Sequence, residues 1–112
     1  MSSRPTIADD ALIEAIREAL AGIEADRVRV DGDGARADEL RAQLAAQSPG
    51  GDHPLAIVET TGTPAGLRAA CEQVADRGLV LLAGESGEPV DIDLYREAHR
   101  RGLELIGIRE AP

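Results

Sequence analysis

The chain has 112 residues, the size of one domain. Its formal net charge of -9 excludes the basic surface that binding to nucleic acid or to anionic membranes requires. A single cysteine excludes an intramolecular disulfide, and the sequence shows no apolar run long enough for a membrane span or a signal peptide, so we expect a cytoplasmic protein.

The first predicted element is a helix over Ala8 to Ala21, closed by Gly22. Arg27 to Asp31 follows and alternates between charged and apolar side chains. This pattern predicts an edge strand whose Val28 and Val30 face the core and whose arginines face water. The apolar face of the helix is formed by residues at helical spacing: Leu12, Ile16, Leu20 and Ile23.

A second helix is predicted over Ala35 to Gln47. The turn that opens it, Gly32 to Ala37, matches the G-x-G-x-x-A pattern that holds a dinucleotide pyrophosphate at a helix N-terminus. Placement favours that site and puts Glu59 about where a ribose-binding acid could lie. Charge opposes it, because Asp31 and Asp33 would face the pyrophosphate. A plain Gly-rich turn is therefore the preferred interpretation.

The centre of the chain is typical of a strand, a helix and a second strand. Leu55 to Val58 and Leu79 to Leu82 are short, unalternating apolar runs, as in strands covered on both faces of a parallel sheet. Between them, Thr63 can cap a helix and Pro64 fits its first position. The three elements therefore predict one βαβ unit.

The C-terminal part predicts a short helix and a last strand. The helix of the central unit should end near Asp76, with Gly78 available to turn the chain. After a loop, Asp93 can cap a short helix that runs to about Arg101, with Leu94 turned inward. Leu103 to Ile108 is the last predicted strand.

Four blocks of the sequence match the order and spacing of a known family: Glu24 to Val28, Ala56 to Gly62, Gly78 to Gly84, and Leu103 to Gly107. Together they resemble the later half of the nucleotide-binding domain of medium-chain, zinc-type alcohol dehydrogenases. The resemblance implies that residues 1–112 form a single truncated Rossmann-like domain. It does not cover the zinc ligands or the pyrophosphate-binding first βαβ unit of that family, so we predict neither a catalytic residue nor a metal site.

The resemblance also implies where a cofactor would bind. Ligands of open α/β sheets lie at the carboxyl ends of the strands. In the family these ends contact NAD(P), the cofactor that we therefore consider. The corresponding cofactor-binding residues here are Thr60, Thr61, Gly62, Ala83 and Gly84.

The truncation also constrains the sheet. The family's strand order is 3-2-1-4-5-6, so loss of the first two strands would leave a gap beside Leu55 to Thr60. We predict that Arg27 to Asp31 closes this gap, which gives a parallel sheet of four strands in sequential order, with about four helices in two or three layers. The resemblance implies a homodimer through the edge strand Leu103 to Ile108.

Three functions remain open. The first is a partial nucleotide-binding domain of an NAD(P)-dependent oxidoreductase, which is not a complete hydride-transfer enzyme by itself and which a second polypeptide could complete. The second is a non-catalytic homodimeric interaction or scaffold protein. The third is a small enzyme that uses Glu59, Asp91 or Asp93 as an acid or base. We favour the first.

Overall fold

Four strands and three α-helices make up the framework of this α/β, Rossmann-like protein. The computed structural model describes residues 10–44, 53–84, 91 and 93–108. A 3₁₀ turn at Ala25–Arg27 and a π-helical turn at Tyr95–His99 complete the described elements. The helices are α1 (Asp10–Ala19), α2 (Ala35–Leu44) and α3 (Pro64–Gln73), and the strands are β1 (Val28–Asp31), β2 (Ala56–Glu59), β3 (Leu79–Leu82) and β4 (Glu104–Gly107).

The sheet is parallel throughout and runs β1-β2-β3-β4, which confirms the predicted sequential order. Val28 lies opposite Ala56, Ala56 opposite Leu79, and Leu79 opposite Glu104. All four residues of β2 are buried, whereas β4 is mostly exposed. The apolar runs therefore occupy the centre of the sheet and the more polar runs form its edges.

Each face of the sheet has its own hydrophobic cluster. On one face, Val30 and Val58 pack beneath α1 and α2, through Leu12 and Leu40 among others. On the other face, Ile57 packs beneath α3, together with Ala70, Val74 and Val80. Because side chains alternate along each strand, β2 contributes to both clusters.

The placement of α2 and α3 on opposite faces determines the winding of the chain. The connections β1-α2-β2 and β2-α3-β3 both step the same way across the sheet. Since one passes over each face, the two crossovers have opposite hand, and one of them is the rare left-handed kind. Winding of one hand throughout would place α2 and α3 on the same face of the sheet. Here α1 and α2 together cover the face opposite α3.

The end of α3 differs from the prediction. The helix ends at Gln73, before Asp76, and the residue with positive φ is Arg77 (φ 66°), whereas Gly78 was expected to make the turn. The Arg101 guanidinium donates to the carbonyl oxygens of Cys71 and Val74 and binds Asp76 at 2.8 Å. A side chain distant in sequence thus satisfies the last carbonyls of the helix, which is why no glycine cap is needed.

Two predicted side-chain orientations are wrong. The Arg29 side chain is only 12% exposed, because it lies on the α3 face and binds Asp31 and Gln73, each at 2.6 Å. Leu94 is 54% exposed, although Asp93 does cap the segment by accepting the Arg96 N–H at 3.1 Å. The segment is a π-helical turn, whose wider winding changes the direction of the side chains.

Gly78 is required by packing instead of by conformation. A Cβ there would lie 2.6 Å from the Ala75 carbonyl oxygen and 2.8 Å from that of Leu55. We expect Gly78→Ala to lower the free energy of unfolding by about 1–3 kcal/mol, as overpacking does, measured by denaturant titration at one protein concentration. Gly107→Ala is the control, since a Cβ at Gly107 meets no atom within 4 Å. Equal midpoints for the two variants would contradict the packing argument.

Candidate functional site

The carboxyl ends of β1 and β2 are the place in this sheet where a ligand crevice is expected. The chain leaves β1 toward α2 on one face of the sheet and leaves β2 toward α3 on the other face. Neighbouring strands whose connections diverge in this way leave a cleft between them, the usual ligand site of open α/β sheets. Its walls are Gly32 to Gly34 after β1 and Thr60 to Gly62 after β2.

The Gly-rich turn has two glycines with positive φ, and they differ in their surroundings. A Cβ on Gly32 (φ 127°) would overlap the Thr60 hydroxyl, so only glycine lets the two strand ends approach this closely. A Cβ on Gly34 (φ 101°) would meet no protein atom within 4 Å. Ala37 is fully buried between α2 and the sheet. The turn thus has one glycine for contact, one that faces open space, and a small residue for helix packing.

The predicted site residues of the next two strand ends come together beside this turn. The Thr60 hydroxyl donates to the Asp31 carbonyl oxygen at 2.7 Å. Gly84 packs against the same loop, since a Cβ there would lie 2.5 Å from the Gly62 nitrogen and 2.7 Å from the Thr60 oxygen. Thr61 is exposed, whereas Ala83 is buried. The structure therefore gathers Thr60, Gly62 and Gly84 at one place and puts Ala83 beneath them.

Glu59 has a role that the sequence did not indicate. It is 2% exposed, and its carboxylate accepts the N–H groups of Thr61 (3.0 Å) and Gly62 (3.2 Å) as well as the Thr61 hydroxyl. It also lies against the first turn of α3, because a Cβ on Gly66 would be 2.5 Å from its Oε2. Glu59 is therefore occupied by its own loop and does not face the crevice as a ribose-binding acid would.

The two helix N-termini at the crevice consequently differ. At α3, the Thr63 hydroxyl caps the Gly66 N–H at 3.0 Å, and the Glu59 carboxylate lies alongside. At α2, the first intrahelical bond runs from the Asp38 N–H to the Gly34 carbonyl oxygen, and Gly34 borders open space. Glu59 would repel an anion added at the N-terminus of α3, whereas the acid in the first turn of α2, Asp38, is paired with Arg41 at 3.1 Å.

The charges around the Gly-rich turn are more favourable than the sequence indicated. Arg29 binds both carboxylate oxygens of Asp31, at 2.6 and 3.0 Å, so this acid is neutralised by an ion pair. Asp33 is exposed and lies in the turn itself. On the outer side of β1, Arg41 donates to the carbonyl oxygens of Val30 and Gly32. Of the two acids that were expected to repel an anion, only Asp33 is therefore without an ion pair among the described contacts.

The carboxylates of the third open function do not form a common site. Glu59 is buried, whereas Asp91 and Asp93 are exposed. Within the part of the chain that the structure describes, no three His, Cys, Asp or Glu residues are grouped to hold a metal ion. A search of the same residues finds no helix that is long and apolar enough to cross a membrane.

Solved structures with the same fold are dehydrogenases. L-idonate 5-dehydrogenase from Escherichia coli K-12 has a TM-score of 0.68 at 14% identity, over 95% of this chain and 44% of that chain. An alcohol dehydrogenase zinc-binding domain protein from Burkholderia ambifaria has a TM-score of 0.67 at 17% identity, over 89% and 38%. The rspB alcohol dehydrogenase from E. coli CFT073, in complex with NADH, has a TM-score of 0.71 at 16% identity, over 93% and 42%.

The likeness shows a shared fold between this chain and part of zinc-type and related alcohol dehydrogenases. No family model matches the sequence, and no curated protein sequence matches it either. The chain spans less than half the length of each of the three dehydrogenases. Their activities therefore bear on this chain only as a proposal.

The role of Glu59 is open to test by Glu59→Gln. The amide group would place N–H donors opposite the N–H groups of Thr61 and Gly62, so we expect a loss of about 1–3 kcal/mol in the free energy of unfolding. Faster amide hydrogen exchange at Thr61 and Gly62 should accompany it. Glu72→Gln, at an exposed position on α3, is the control. If the two variants behave alike in stability and exchange, Glu59 does not hold the loop.

Proposed function

We propose that this chain is a partial nucleotide-binding domain that holds the diphosphate of NAD(P) in the crevice. The observation that carries the proposal is the open space at Gly34, beside the first turn of α2. Helix N-termini and glycine turns bind phosphates through backbone N–H groups. The NADH complex of a dehydrogenase with the same fold supports this choice of ligand.

The residues at the crevice fit a diphosphate. No side chain fills the space at Gly34, and the pairing of Asp31 with Arg29 removes one repulsive charge. Thr61 and Gly84 would border the ligand on the side of β2 and β3. Because Glu59 is occupied by its own loop, the ribose of the cofactor would be held without this acid. When bound, NAD(P) supplies a hydride donor or acceptor, and the chain's own residues bind and orient it.

The faces occupied by the helices also favour a specific correspondence with the complete domain. In the order 3-2-1-4-5-6, strands 1, 4, 5 and 6 are already adjacent, and right-handed winding puts the helices after strands 1 and 4 on opposite faces. The helices after β1 and β2 have this arrangement. We therefore propose that β1 corresponds to strand 1 instead of strand 3, which makes the Gly-rich turn the equivalent of the pyrophosphate turn.

The proposed function is binding and not complete hydride transfer. We propose that the 112 residues form a single truncated domain of a cytoplasmic protein, and that a second polypeptide supplies the substrate-binding part. Among the described residues, the crevice offers backbone groups and threonines, which suit holding a cofactor.

Gly34→Ala tests the site against Gly22→Ala. Both glycines have positive φ and space for a methyl group, so both substitutions strain the backbone, but only Gly34 borders the crevice. In calorimetric titrations, we expect the wild type to bind NADH or NADPH with a Kd of about 0.1 mM or below, roughly 5.5 kcal/mol. Gly34→Ala should weaken binding by about tenfold or more, and Gly22→Ala by less than about twofold. Equal losses, or no binding by the wild type at millimolar cofactor, would refute the site.

The exposed edge of β4 supports a second function, self-association. Glu104 and Ile108 donate their N–H groups to β3, so the backbone groups of Leu105 and Gly107 point outward by alternation. No hydrogen bond of these outward groups joins them to another described residue. Ile106 is 36% exposed on the same strand. We propose a homodimer in which two copies of β4 pair around a two-fold axis. Such pairing would also add apolar burial to a core without Phe or Trp.

Gly107→Pro tests this interface. Proline removes an N–H that points away from β3, so it should block pairing with a second chain and preserve the ladder within the sheet. We expect a wild-type dimer by light scattering at micromolar concentration and a predominantly monomeric Gly107→Pro variant. Gly107→Ala, which keeps the N–H, should remain dimeric. A monomeric wild type would contradict the proposed interface.

A further inference from the structure

Arg41 connects the last turn of α2 to the turn that precedes the same helix. Its Nη2 donates to the carbonyl oxygens of Val30, at 2.9 Å, and Gly32, at 2.7 Å. Its Nη1 binds the exposed Asp38 carboxylate at 3.1 Å. The Arg41 side chain is 27% exposed, so these bonds are partly shielded from water. Both carbonyl groups lie on the outer side of β1, away from β2.

The position of these bonds matters because the turn is otherwise weakly held. A glycine has wide conformational freedom, and this turn has two of them within three residues. Thr60 limits Gly32 from the β2 side by steric contact. Arg41 fixes the Gly32 carbonyl from the opposite side. The peptide between Gly32 and Asp33, which precedes Gly34, is therefore held on both sides.

We propose that Arg41 is a positioning residue of the nucleotide crevice: it holds the Gly-rich turn so that Gly34 and the first turn of α2 are preorganised for the diphosphate. This inference rests on the proposed function. Preorganisation raises affinity because the ligand does not have to order the turn when it binds. The exposed Asp38 pair contributes little, so the two carbonyl bonds carry the effect.

The alternative is that Arg41 acts only through its positive charge. Arg41→Lys separates the two roles, because lysine keeps the charge and lacks the planar fork of donors. Arg41→Met removes both. Arg17→Met is the matched control, since Arg17 also donates to a backbone carbonyl oxygen of α2, that of Gln43 at 3.0 Å, but in the last turn of the helix.

The experiment combines NADH titration with amide hydrogen exchange at Asp38, whose N–H donates to the Gly34 carbonyl oxygen at 3.0 Å. We expect Arg41→Lys and Arg41→Met to weaken NADH binding similarly, by about tenfold, which equals roughly 1.4 kcal/mol. Exchange at this amide should become at least about tenfold faster, because the turn opens more often. Arg17→Met should change neither the NADH affinity nor the amide exchange rate by more than about twofold, even if it lowers the thermal unfolding midpoint as much as Arg41→Met does.

The outcomes distinguish this inference from the proposed function. Unchanged exchange at the Asp38 amide in Arg41→Met would overturn the positioning role. Wild-type affinity in Arg41→Lys, with a loss in Arg41→Met, would assign the effect to charge and overturn it as well. A wild type that binds no NADH at millimolar concentration would refute the proposed function and with it the nucleotide role of Arg41, and the exchange data would then show whether Arg41 holds the turn at all.

Discussion

The carboxyl end of the β1–β2 pair is the constraint on which the rest of the structure depends. The Asp31 carbonyl oxygen accepts both the backbone N–H and the hydroxyl of Thr60, at 3.0 and 2.7 Å. These two hydrogen bonds to one acceptor hold the two strand ends so close that the next residue, Gly32, has no room for a side chain. Beyond this point, the connection after β1 runs to one face of the sheet and the connection after β2 runs to the other. This divergence defines the crevice.

The two helix N-termini that face this crevice differ in the charged groups beside them. A carboxylate of the protein itself lies at α3, so that end is satisfied internally. At the end of α2, Asp38 of the first turn is paired with Arg41, and Asp31 of β1 is bound to an arginine on the other side of the sheet. The exposed Asp33 lies in the turn itself. A chain with a net charge of -9 can therefore still present a local site for an anion. Net charge describes the whole surface, whereas a backbone turn and a few ion pairs decide a single cleft.

The sequence predicted most of the elements and part of the site. The apolar runs of β2 and β3, the Thr63 cap and the order of the strands were all readable, because they depend on local patterns and on the need to close a gap in the sheet. The face occupied by α2 was not, since right-handed winding is the general rule and the local sequence does not encode the exception. The contacts of Arg29, Arg41 and Arg101 join residues through backbone carbonyls or across elements, and such bonds leave no sequence pattern. For the same reason the inward role of Glu59 was missed. The strand ends were predicted from the apolar runs, and Thr60, Gly62 and Gly84 do lie together there, whereas their role in cofactor binding stays a prediction.

The two edges of the sheet also differ in what they leave available. Along β1, the outward carbonyls of Val30 and Gly32 are used by Arg41, and the Val28 N–H bonds to Ala25. Along β4, the outward groups near Leu105 and Gly107 have no such bonds to described residues. A sheet with two receptive edges can add copies at both ends and grow into an open-ended polymer, as exposed strand edges tend to do. Because Arg41 and Ala25 occupy part of the β1 edge, the proposed association through β4 would favour a closed pair of copies over a polymer.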